Sequence, residues 1–158
     1  MSSELPHLTE EGHVHMVDVS AKESTVRRAV AEALITMPPG LAGRLFAGDL
    51  PKGDALAAVR LAGIMAAKRT ADLIPLCHPL RLDGVEVEVQ QFHDGAQIRA
   101  TVRSAGPTGV EMEAMTAVAV AALTLYDMVK GLERGVEIGP IRLLHKSGGK
   151  SGTWERQQ

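Results

Sequence analysis

The stretch Thr108 to Lys130, TGVEMEAMTAVAVAALTLYDMVK, restricts the fold of this chain more than any other. It runs from Ala114 to Tyr126 without a charge, is rich in Ala and Met, and has no proline and no glycine after Gly109. Such a run suits a helix packed on several sides. Its uncharged part is shorter than the roughly 20 apolar residues that a membrane-spanning helix needs. Glu111 and Glu113 stand at its start. Asp127 and Lys130, three residues apart, share a face at its end. The pattern predicts a core helix with acids at its entrance and an acid–base pair at its exit. Ionisable groups that bound an apolar helix are candidate site residues, although solvated helix ends are their commoner meaning.

The other elements follow from period and punctuation. Met16–Ser20 reads as a short strand. Val26–Met37 alternates, with Ala29, Ala31, Ala33, Ile35 and Met37 on one side and Arg28, Glu32 and Thr36 on the other, which predicts a strand with one buried face. Arg27 falls on its apolar side. Pro38, Pro39 and Gly40 end it. Leu41–Ala47 reads as a short helix, and Asp54 caps a second helix that reaches Ala71. Asp94-Gly95 is a two-residue hairpin signal. If it sets the register, His93 pairs with Ala96, Val89 with Ala100 and Val87 with Val102. Glu88 then meets Thr101 and Glu86 meets Arg103, so apolar faces apolar and acid faces base. Val136–Lys146 supplies the last strand. The order strand, helix, strand, strand, helix, strand predicts a ferredoxin-like α+β sandwich, with both helices on one face of an antiparallel sheet. The other face, with Glu86, Glu88, Arg99 and Arg103, meets solvent or a partner subunit.

A chain of 158 residues is most simply one domain. Residues 1–15 read as a mobile tail, residues 16–158 as the domain, and Lys146–Gly152 as a flexible Lys/Gly tail. A net charge of −2 without a basic run argues against nucleic acid and membrane surfaces as partners. The single cysteine, Cys77, excludes an internal disulfide. With a polar, acidic N-terminus that lacks the features of a signal peptide, it suits the cytoplasm.

Cys77 and His78 lie between prolines, in a segment that is extended and irregular. Adjacent Cys and His are not a zinc spacing, and no second pair accompanies them. His78 beside a polar ligand is a stronger reading than a nucleophilic Cys77. Gly149-Lys150-Ser151 resembles the end of a phosphate loop, but Leu144 stands where a Walker A motif needs its first glycine. What survives is Lys146 and Lys150 with glycine amides around an anion. Lys52 precedes a helix N-terminus, which favours anions. With Lys130 and Lys146 it could serve a polyphosphate. Asp127, or a desolvated lysine, could exchange protons.

The strings MVDVSAK, KGD, LAGIMAAKRT, LIPLCHPL, GVEMEAMTA, YDM-x-K and IRLLHKSGGKSG, in this order, resemble the MoaC family, the cyclic pyranopterin monophosphate synthases of molybdenum-cofactor biosynthesis. The likeness covers about Met16 to Gly152. It implies a ferredoxin-like subunit in a homohexamer, a trimer of dimers, with active sites between the subunits of a dimer. It implies a lyase that rearranges 3′,8-cyclised dihydro-GTP to cyclic pyranopterin monophosphate and releases pyrophosphate. By the same matching, Lys52, Asp127 and Lys130 are catalytic. Leu76, Cys77, His78, Met112 and Glu113 bind substrate, with Glu111, Arg27 and Lys146 as neighbours. The resemblance implies no resident cofactor or metal site, and leaves room for Mg²⁺ on the triphosphate. Val129 stands where many relatives carry Cys, which leaves the proposed chemistry untouched. The competing readings are a non-catalytic oligomeric nucleotide-binding module and an RNA-binding sandwich. The second is opposed by the lack of aromatics on the hairpin strands.

Overall fold

Side chains alternate across a strand, so a period of two in small apolar residues builds a sheet with one packed face. The computed structural model describes residues 6–157; the first five residues of the tail read from the sequence lie outside them. Strand β1 (Thr25–Thr36) buries Ala29, Ala31, Ala33 and Ile35 on one side. It lies between β3 (Gly95–Gly106) and β4 (Glu137–Ser147). Strands β2 (Gly84–Phe92) and β5 (Trp154–Glu155) form the edges. Every neighbouring pair is antiparallel, in the order β2-β3-β1-β4-β5. That is the ferredoxin-like arrangement expected, with β5 added at one edge.

Helices α1 (Leu41–Ala47), α2 (Ala55–Lys68), α3 (Thr70–Leu73) and α4 (Glu111–Val129) complete the fold. Asp54 caps α2 by accepting the amide N–H of Ala57 at 3.0 Å. The helix predicted to reach Ala71 stops at Lys68. There the Thr70 hydroxyl donates to the carbonyls of Ala66 and Ala67, and a separate turn follows. Helix α4 is long and apolar enough to cross a membrane by length and composition. Here its buried side, including Ala114, Ala117, Val118, Ala121 and Leu125, joins the core. Gly63 lets α2 approach closely: a Cβ there would stand 3.0 Å from Val87 Cγ2 and 3.2 Å from the carbonyl oxygen of Ala117.

The β2–β3 hairpin keeps the predicted faces but not the predicted register. Phe92 pairs with Gly95, Val87 with Ala100, and Val89 with Ile98. Glu88 meets Arg99, and Glu86 meets Thr101. The turn residues are His93 and Asp94, and His93 takes the positive φ of 50°. Gly95 opens β3 instead of sitting in the turn, and it lies so close to β1 that a side chain there would overlap the carbonyl oxygen of Ile35. A slip of two residues leaves each side chain on its own face, so the apolar pattern alone does not detect it.

Met16–Ser20 forms no strand. Residues 16–19 have no regular structure and Ser20 lies in a turn; Val17 and Val19, like the preceding His15, are half-buried, and Met16, Asp18 and Ser20 are exposed. On the open face of the sheet Glu32 is only 3% exposed. Its carboxylate accepts from Arg142 Nε at 2.7 Å and Gln97 Nε2 at 2.6 Å, with Arg99 at 3.9 Å.

Candidate functional site

Two clusters of candidate residues sit at opposite ends of α4. The first is at its C-terminal end. Lys52, in the loop before α2, donates from Nζ to the main-chain carbonyl of Asp127 at 2.7 Å and to its carboxylate at 3.1 Å. Lys130 Nζ lies 3.0 Å from the other carboxylate oxygen. A helix C-terminus disfavours a carboxylate, and two ammonium groups offset that here. Hydrogen bonding from Lys130, then from Lys52, with the charge of both, holds the Asp127 carboxyl below its ordinary value. All three side chains are close to half exposed. The ionised carboxylate, open to solvent, is available as a proton acceptor, a weak one because its pKa is lowered, while the two ammonium groups can stabilise developing negative charge.

The second cluster surrounds the N-terminal end of α4. The segment Ile74–Leu80, which opens with a turn closed by the Cys77 N–H on the Ile74 carbonyl, and residues Thr108–Glu113 at the start of α4 line a cleft of about 390 Å³. Leu76, Cys77, His78, Glu111, Met112 and Glu113 all line it. Glu113 is 4% exposed. Burial pushes its carboxyl up, against a backbone hydrogen bond that lowers it, and the charge of Glu111 raises it further. Gly109 makes room for the Glu111 carboxylate, which a side chain at that position would overlap. Burial and then Glu113 raise the Cys77 thiol, so the environment opposes a thiolate nucleophile.

Arg27 and Lys146 belong to the end of the sheet that carries this cleft. Arg27 donates to the carbonyls of Gly106 at 2.9 Å and Pro107 at 3.2 Å, and so anchors the turn that leads into α4. Gly148 and Gly149 follow β4, and side chains there would overlap the Val26 carbonyl and the Arg27 guanidinium. The chain then turns so that β5 pairs with His145 and Lys146, and Lys146 donates to the Ser151 hydroxyl. The GKS segment is thus a turn within a hairpin, with no helix after it among the described residues.

Lys52, Asp127 and Lys130 therefore meet in one group, while Leu76, Cys77, His78, Glu111, Met112 and Glu113 meet in another. Lys146 lies at the end of the fold away from Lys52 and Lys130. Glu113 and Asp127 are separated by roughly 21 Å along α4, at about 1.5 Å of rise per residue. Lys22, His7, Val17 and Val19 also line the cleft and were not singled out in the sequence. The alternation in M-V-D-V-S was the available signal. Among the described residues, no group of three or more His, Cys, Asp and Glu side chains converges to hold a metal ion.

The family model described as the MoaC family matches residues 16–149. A cyclic pyranopterin monophosphate synthase of Roseiflexus castenholzii is 60% identical over 152 residues, which is 95% of this chain and 96% of that protein. A cyclic pyranopterin monophosphate synthase 2 of Mycobacterium tuberculosis is 55% identical over 156 residues, 99% and 93% of the two chains. A synthase of the same name from Corynebacterium glutamicum is 52% identical over 155 residues, 98% and 99% of the two.

Proposed function

The chain belongs to the MoaC family, and we propose that it is a cyclic pyranopterin monophosphate synthase. Its substrate is 3′,8-cyclised dihydro-GTP, and its products are cyclic pyranopterin monophosphate and pyrophosphate. The observation that carries this reading is Asp127 held ionised between Lys52 and Lys130, in a chain similar over nearly its full length to synthases of that name.

Rebuilding the rings of a guanine-derived base needs several proton transfers. Asp127 is suited to accept them, and the ammonium groups to donate or to stabilise charge. Closing the cyclic phosphate forms a bond to the α-phosphorus and breaks its bond to the β-phosphate, which leaves as pyrophosphate. Cations offset the charge that moves onto that leaving group. Glu113 and Glu111 suit the N–H groups of the base, and Lys146 with Arg27 suits the phosphates. Mg²⁺ would travel with the triphosphate.

The roughly 21 Å between Glu113 and Asp127 supports a site shared between chains, because one nucleotide-sized ligand does not reach both ends of α4 in a single chain. A two-fold axis beside α4 would bring the cleft of one chain to Asp127 of another. Leu61 and Met65 on α2 and Leu123 on α4 are exposed apolar residues on the helix layer and are apt for such a contact. The homohexamer, a trimer of dimers in the cytoplasm, is part of this proposal.

The test is turnover of freshly made cyclised dihydro-GTP, followed by pyrophosphate release and by pterin fluorescence after oxidation. Product from the parent chain supports the proposal. Binding of the substrate by a folded chain without turnover would replace it with a nucleotide-binding module.

A further inference from the structure

The carbonyl oxygen of Val17 lies 2.5 Å from Nε2 of His78. A carbonyl oxygen only accepts, so Nε2 carries the proton of this bond. In the neutral ring the lone pair is then on Nδ1.

The segment that presents this carbonyl is docked, not loose. Val17 and Val19 line the cleft together with Leu76, Cys77 and His78. Their side chains are half-buried, while those of Met16, Asp18 and Ser20 face solvent. Just beyond Val17, the Asp18 carboxylate accepts the amide N–H of Ser20 at 2.8 Å, which closes a tight turn. The N–H and hydroxyl of Ser20 hold the Asp18 carboxyl below its ordinary value. The His78 ring adds a smaller pull in the same direction, as expected for groups that are close together.

We propose that Met16–Ser20 is a positioning arm of the substrate site, which docks through Val17 and Val19 and fixes His78 with Nε2 as donor, so that Nδ1 is the atom offered to the ligand. An acceptor at Nδ1 suits an N–H donor of a purine-derived base, beside the carboxylates of Glu111 and Glu113 in the same cleft. Val17 acts through His78 and is a positioning residue. The identity of the ligand rests on the synthase reading. The state of the ring does not.

The experiment uses the full chain with ¹⁵N-labelled histidine, at about pH 8, where an ordinary imidazole is neutral. Loss of one ring N–H signal in His78→Gln identifies the His78 resonance. The parent should show this proton on Nε2, slow to exchange with solvent. In Val19→Asp, which undocks the arm, and in Asp18→Ala, which opens its turn, the protected signal should be lost. KM for the cyclised substrate should rise about tenfold, the equivalent of one ligand hydrogen bond, with kcat little changed. Circular dichroism selects whichever arm variant keeps the fold. A protected Nε2–H that survives in the folded variant would overturn the proposal, as would its absence from the parent. So would lost turnover with an unchanged His78 signal. Failure of the synthase reading appears separately, as no turnover in the parent, and leaves the ring signal readable.

Discussion

Lys52 grips Asp127 twice across the helix layer, at its main-chain carbonyl and at its carboxylate, although 75 residues separate the two in sequence. The bond to the carbonyl fixes where the ammonium stands, and the bond to the carboxylate adds to the larger effect of Lys130 in favouring the ionised form. With Lys130 on the other oxygen, this makes a small ionised cluster at the exit of α4.

That cluster predicts a particular pH dependence. Asp127 has its carboxyl lowered, so its ionised form is favoured in the folded chain. Its stabilising contribution is present above the pKa of an unfolded aspartate and is lost as pH falls through the lowered folded value. The acid limb that Asp127 gives to kcat/KM should lie below the ordinary carboxylate range. Lys52→Met should move that limb upward in a pH–rate profile. Asp127→Asn should lower kcat by about 10²–10⁴-fold, the usual worth of a general acid–base group.

Glu113 has the opposite sign. Burial raises its carboxyl, so its contribution to stability is present below the pKa of an unfolded glutamate and is lost as pH rises through the raised folded value. Glu113→Gln removes that titration. Its melting temperature at neutral pH should match or exceed the parent's, while substrate affinity falls about tenfold, as expected for a lost charge-assisted hydrogen bond. Thermal melts from acid to neutral pH, with a binding titration beside them, read both effects.

The open face of the sheet carries a structural test. Arg142→Ala leaves the buried Glu32 carboxylate with Gln97 and a more distant Arg99. This should cost about 3 kcal/mol, because a buried charge loses its main partner. Glu32→Ala leaves guanidinium groups that are about 40% exposed and can turn to water, and should cost closer to 1 kcal/mol. Denaturant melts of the two variants give the order.

Gly95→Ala tests the hairpin register. The added methyl meets the Ile35 carbonyl on β1, so strand separation or a shifted turn must follow. The cost should be about 1–3 kcal/mol, as for overpacking in a well-packed site, against a small effect at the exposed Gly43 in α1. Urea midpoints read it.

The same glycine shows what was legible in the sequence. Alternation assigned the faces of β2 and β3 correctly, because pleating is a local property. The register escaped, because it depends on how closely β1 approaches Gly95, a tertiary fact that the Asp94-Gly95 turn signal outweighed. The ends of α4 were legible as charged boundaries of an apolar run, and Asp127 with Lys130 followed from helical spacing. Lys52 was grouped with Lys130 and Lys146 as a candidate polyphosphate site, but its pairing with Asp127 came only through the family resemblance, since no local pattern joins residues 75 apart. Met16–Ser20 looked like a strand because it alternates. What it alternates against is the cleft wall, and nothing near it in sequence says so.

The most direct measurement mixes two impaired variants, Glu113→Ala, weakened in binding, and Asp127→Ala, lacking the proton acceptor, dissociated and reassembled together. It follows pyrophosphate release at cyclised dihydro-GTP concentrations well below the parental KM. If each site draws its cleft from one chain and its Lys52–Asp127–Lys130 cluster from another, mixed dimers contain one intact site. Random reassembly should then restore about a quarter of the parental rate. A mixture no faster than the mean of its two components, with exchange of chains confirmed, would contradict a site shared between chains.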